Sequence, residues 1–194
     1  MITAEQIESN KKKFLETNSK YKIFTDELLD FLGDDFFIAP ASTSLDMYGC
    51  YPGGLLSHCF KAAKYSVKTN ELLPEPMRVQ TSSILKCIFL SQIGKTFMFK
   101  PNPSEWHRKN LGKLYEFTEQ EVSMKAGERA VYYATTNGVK LSEDEFQSIM
   151  NSDKESDDKM AKYRSGTLSN VIRVGFELSI LEEKNGQKWN WVVH

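Results

Sequence analysis

Leu85-Lys86-Cys87-Ile88-Phe89-Leu90-Ser91-Gln92-Ile93-Gly94-Lys95 is the stretch on which the fold turns. With Ile84 in front of it, it is apolar nearly all round toward its end, the mark of a helix enclosed by others. That predicts an all-α body built around this helix. Ser91-Gln92 is the anomaly, a polar pair near the end of the most apolar helix.

Working outward, Leu72-Leu73-Pro74-Glu75-Pro76 stops a preceding helix, because proline lacks the amide hydrogen and holds its predecessor extended; Met77 then begins the central one. The preceding helix runs from Leu55 to about Asn70 behind Gly53-Gly54, with His58 in its first turn. On the other side, Phe97 to Lys100 and Lys113 to Phe117 alternate, predicting a small irregular β-hairpin over 97–117 at the edge of the helical body.

The flanks are helical too. Thr3 caps a helix reaching Ser19, with Lys11-Lys12-Lys13 on its wet face. Thr25 to Leu32 places Leu28, Leu29, Phe31 and Leu32 inward and stops at Gly33. Asp34 to Gly54 reads as a long ordered loop pinned by aromatics. Ala126 to Thr135 is helical, and Ser142-Glu143-Asp144-Glu145 resembles a capping box. Asn151 to Lys159 is the most polar window and reads as an exposed loop. Ser169 is expected to cap the last helix, Lys184-Asn185-Gly186 to end it, and the aromatic tail to pack on the body or a partner.

Composition excludes several classes. At 194 residues with a formal net charge of −1, no bulk field favours nucleic acid or a membrane surface, and one domain over 1–194 is expected. Cys50, Cys59 and Cys87 are odd in number, widely spaced and without a C-x-x-C pair, which suits free thiols in a reducing cytoplasm. No signal-peptide core or apolar run of about 18 residues appears, so a soluble cytoplasmic protein is expected.

Five strings carry a resemblance: Ala39 to Thr43, Tyr51 to His58, Phe89 to Lys95, Trp106 to Asn110 with Gly112-Lys113 and Tyr115-Glu116, and Gly127 to Val131. In this order they resemble the HD-domain superfamily of metal-dependent phosphohydrolases, in a sub-type common in phage and prophage genomes. The likeness spans residues 36–182, leaving N-terminal helices over 1–33 and a tail over 185–194. It implies an HD-like helical bundle. In that family a first histidine, a His-Asp pair and a distal aspartate hold divalent cations, which lower the pKa of bound water and neutralise phosphoryl charge.

His58 matches the first ligand, but Ser91-Gln92 stand at the His-Asp pair. Ala126 stands where a further histidine belongs, and the distal aspartate falls near Leu178, with Glu177 beside it on another face. Serine and glutamine offer neither the carboxylate nor the imidazole that a dication needs. The resemblance therefore implies a pseudoenzyme, metal-independent and without cofactor.

Its retained site residues would be His58, Ser91, Gln92, Lys95, Trp106, Arg108, Lys109 and Glu128. Cations and aromatics can hold a phosphate and stack a base without turnover. The leading expectation is a sensor or sequestering protein for a small phosphorylated ligand such as a nucleotide. The alternative is an interaction scaffold with a filled pocket, for instance a homo-oligomer; a third is a metal site rebuilt from His58, Glu128 and Glu177. A Ser91–His58–Asp46 triad has no nucleophile elbow to support it. Gly94-Lys95-Thr96 lacks the preceding glycine of a phosphate loop.

Overall fold

A computed structural model describes residues 3–152 and 166–192, with side chains as far as 185. Among the described residues it is mainly helical with one small antiparallel hairpin, as the central stretch predicts. The helices are α1 (Ala4–Tyr21), α2 (Asp26–Leu32), α3 (Asp35–Ile38), α4 (Gly54–Leu72), α5 (Thr81–Ile93), α6 (Glu105–Leu111), α7 (Ala126–Thr136), α8 (Glu143–Met150) and α9 (Thr167–Val192). Strands β1 (Phe99–Pro101) and β2 (Tyr115–Phe117) pair with Lys100 opposite Glu116.

Helix α5 is the hub, packed by α4, α7, α8 and α9. Its Ile84, Ile88, Phe89, Leu90 and Ile93 are fully buried. Phe14 of α1 plugs in beside it, with the rings of Phe24, Phe36, Phe37 and Phe89 at 5.0 to 5.9 Å in edge-to-face contact. Each such pair contributes about 0.5–1.5 kcal/mol beyond area burial, so one phenylalanine ties α1, α3 and α5 into one cluster. Gly94 lets the end of α5 touch α7: a Cβ there would lie 2.0 Å from the Ala126 carbonyl oxygen. Lys86 and Glu145, 2.7 Å apart, tie α5 to α8.

Several boundaries differ from the sequence reading. The Asp34–Gly54 loop contains α3, whose Phe36 and Phe37 are buried. Phe31 is exposed; α2 is one face wide, and the ring instead meets Phe97 and Tyr133 at its rim. Met77 closes a single 3-10 turn and does not begin α5. The Asn70 amide holds both backbone groups of Val79 extended, at 2.9 and 3.0 Å, which delays α5 to Thr81.

The long connection between the strands makes the hairpin irregular, as expected, but it is not without structure of its own. It holds α6, whose first turn Ser104 caps by accepting from the His107 N–H. Ser169 is not a cap: α9 begins at Thr167, the Gly166 carbonyl accepts from the Asn170 N–H, and Ser169 is buried inside the helix. Nor does Gly186 end α9, which continues to Val192; a helical glycine costs only about 1 kcal/mol. The polar loop around 153–159 and the tail's side chains lie outside the described residues. No helix among the described residues is long and apolar enough to cross a membrane.

Candidate functional site

Helix α9 runs antiparallel to α4, and the two approach closely because residue 175 is glycine. A Cβ at Gly175 would lie 1.9 Å from Ser66 Oγ and 2.7 Å from the Ala62 carbonyl oxygen. One turn further along α9, Ser179 reaches His58, one turn earlier on α4. Ser179 Oγ and His58 Nδ1 share a hydrogen bond of 2.9 Å, and both residues are buried.

His58 lies between two rings. Tyr48 stacks on one side with centroids 4.3 Å apart, and Phe176 on the other at 5.4 Å. Only 1% of the histidine is exposed. Burial, with Lys95 and Lys61 adding like charge, pushes the imidazole pKa down to about 3. The ring is neutral at physiological pH.

Tyr48 comes from the 39–53 loop, which is tied down on two sides. Leu45 and Tyr115 N–H groups donate to Gly112 and Thr43 carbonyls, linking the loop to the hairpin arm. Gly49 N–H donates to Glu183 Oε1 at 2.6 Å, and Lys61 meets the other carboxylate oxygen at 3.3 Å. Beside Tyr48 sits Lys95, 8% exposed, with its ammonium 3.1 Å from the Tyr48 hydroxyl.

Ser91 and Gln92 are wholly buried on α5. Ser91 Oγ donates to the Ile88 carbonyl at 2.9 Å, a bond made within its own helix, and Gln92 Nε2 donates to Ser91 Oγ at 3.3 Å. Gln92 Oε1 and Thr96 Oγ1, one turn apart, have no hydrogen-bonding partner among the described residues.

The structure thus brings His58 and Lys95 together through Tyr48 and seats Ser91 and Gln92 on the helix packed against α4. Trp106, Arg108 and Lys109 are exposed on α6, and their contacts are local. Trp106 meets the His107 ring, Arg108 donates to the Asn102 carbonyl, and Lys109 pairs with Glu105. Glu128 accepts from the Lys125 N–H at 2.8 Å and closes the N-terminus of α7.

The residues that sequence reasoning missed are Tyr48, Phe176 and Ser179. Glu177 and Leu178 are on the exposed side, and Ser179 is the one that turns inward. Its signal was available: Val171, Gly175 and Ser179 recur every fourth residue, so a serine at the end of that stripe is a buried hydroxyl.

These side chains do not fit a divalent cation. Beside the one imidazole, Ser91, Gln92 and Ser179 offer only neutral hydroxyl and amide groups. A buried ammonium adds positive charge where a carboxylate would be needed. Among the described residues, no cluster of three His, Cys, Asp or Glu side chains is placed to hold a metal. The cysteines are buried, and burial raises all three thiols, Cys59 to about 12, so they stay protonated. Compared with protein-family models, curated proteins and solved structures, the chain matches none.

Proposed function

We propose that this chain keeps an HD-type helical scaffold without its hydrolytic chemistry, and that it acts by binding, as an interaction protein whose former metal site has become core. The observation that carries this reading is His58, ring-stacked on both sides and hydrogen-bonded to Ser179. In the HD pattern that histidine is the first metal ligand. Here a serine stands within hydrogen-bond reach of it, next to the position at which the pattern's distal aspartate falls, and Ser91-Gln92 replace the His-Asp pair.

The chemistry follows from the donor set. Without a carboxylate nothing offsets the charge of a dication, and without a dication no water is activated at neutral pH. A neutral imidazole held by a hydroxyl is a poor base at pH 7 when its pKa is about 3. What the arrangement does well is hold α4, α9 and the 39–53 loop in one register.

A second reading is favoured by the unpartnered Gln92 Oε1 and Thr96 Oγ1 together with Lys95 beside the Tyr48 hydroxyl. A small phosphorylated ligand, such as a nucleotide, would meet a cation there and offer the amide a hydrogen bond. The phage-type likeness is part of both readings, and so is action as a homo-oligomer in the first.

The test is a thermal-shift and calorimetric screen of the full chain against mono-, di- and cyclic nucleotides, alongside phosphatase assays with Mn, Fe, Ni and Zn. The filled-core reading expects neither a shift nor turnover. Micromolar nucleotide binding lost in Lys95→Ala would establish the second reading instead. Stoichiometric metal with phosphate release would overturn both.

A further inference from the structure

Away from His58, α4 presents another stripe. Between α1, α4 and α5 lies a trough of about 480 Å³. Its floor is apolar, formed by Phe60, Ala63 and Val67 of α4 with Leu85 and Phe89 of α5. Its rim is cationic: Lys13 of α1 and Lys64 and Lys68 of α4 line it, against one acid, Glu71. None of these lysines forms an ion pair among the described residues. The Lys13 ammonium sits 4.5 Å from the Phe60 ring centroid, at the lip of the apolar floor.

Shape separates two kinds of occupant. A small molecule bound with useful affinity is mostly enclosed by its site. This trough is open along its length and follows two turns of α1, from Lys13 through Thr17 to Tyr21, and three turns of α4, from Phe60 to Glu71. At 1.5 Å rise per residue that is roughly 16 Å along α4. Such a surface covers one side of an elongated partner, which is how an apolar helix face seats in a groove.

Charge narrows the choice. A strip of three lysines and one glutamate is positive on a chain whose formal net charge is −1, so the bias is local to the trough. It favours glutamate and aspartate flanking the partner's apolar stripe and disfavours basic flanks. We propose that the trough between α1 and α4 docks an acidic amphipathic helix of a partner protein. The proposal stands on the outer face of α4 and is independent of what the His58 layer holds.

The test uses the full chain and a panel of fluorescent helical peptides with Leu or Phe at i, i+3, i+4 and i+7 and glutamate flanks. Each is paired with a lysine-flanked counterpart and a scrambled sequence. Expected are micromolar binding by acidic members, none by their basic counterparts, and an affinity about tenfold weaker or more in the double variant Lys64→Glu/Lys68→Glu. Both lysines are exposed, so circular dichroism of that variant should match the parent. The proposal is overturned if no acidic peptide binds better than its scramble, or if charge reversal leaves affinity unchanged. It is equally overturned if light scattering shows a dimer that the double variant abolishes, which gives the trough to a second copy. Saturable binding of decanoate without any peptide binding would give it to small anions.

Discussion

On α4, His58, Ala62 and Ser66 form one stripe, and Phe60, Lys64, Val67 and Glu71 form another on the far side of the same helix. The first is closed by α9, to the point that Gly175 leaves no room for a methyl group. The second faces a trough that α1 and α5 border and that is open to solvent along its length. The comparison separates residue type from availability. The inner stripe carries the side chains that read as chemistry, and they are spent on one another. The outer stripe carries exposed lysines, and they border accessible apolar surface.

The largest effect that would break this contrast is expected at the helix crossing. Gly175→Val forces a branched side chain against Ser66 Oγ and the Ala62 carbonyl. A loss of about 3 kcal/mol, at the upper end for overpacking, is expected in urea denaturation. A fully stable variant would mean that α4 and α9 are not in contact at this point.

His58→Ala comes next. It opens space between Tyr48 and Phe176 and leaves Ser179 Oγ without its partner, for an expected cost of about 2 kcal/mol. The same residue sets a pH dependence. Its folded pKa of about 3 lies below the ordinary 6.5, so between these values the unfolded chain binds a proton that the folded chain does not. Stability attributable to His58 is therefore full above pH 6.5 and falls on acidification toward pH 3, by up to about 1.4 kcal/mol per pH unit. The difference in stability between the parent and His58→Gln, followed from pH 7 to 4, should shrink accordingly. A constant difference would contradict the neutral, buried imidazole.

Gln92→Leu is a gentler probe with an informative sign. Its Oε1 is buried without a partner among the described residues, so an apolar replacement of similar shape should be neutral or stabilising by about 1 kcal/mol. A clear destabilisation would indicate that the amide meets a bound group in the native protein. Smallest of all, Lys64→Glu/Lys68→Glu should shift stability by no more than about 0.5 kcal/mol, since both side chains are exposed. A large shift would make the outer stripe structural.

Much of the helical body was legible from periodicity and caps, because these are local. Thr3 and Ser142 each accept from the backbone N–H expected of an N-cap. The apolar run of α5 announced its own burial. What the sequence did not disclose depended on distant partners. Asn70 delays α5 by holding Val79, and nothing near Met77 signals this. Tyr48 joins the His58 layer in a loop held by partners far along the chain, Glu183 at Gly49 and the hairpin arm at Thr43 and Leu45. Trp106, Arg108 and Lys109 enter the expected site through the resemblance, and α6 turns them to solvent.

The tight crossing at Gly175 makes α9 a ruler with a single zero mark. Once that glycine is seated against Ser66, Ser179 falls at His58, Glu182 meets the Tyr65 hydroxyl, and Glu183 reaches Lys61 and Gly49. Sliding by one residue would bring Leu178 or Ile180 against the imidazole and take both glutamates from their partners. One missing methyl group thus sets the alignment of the contacts that Ser179, Glu182 and Glu183 make.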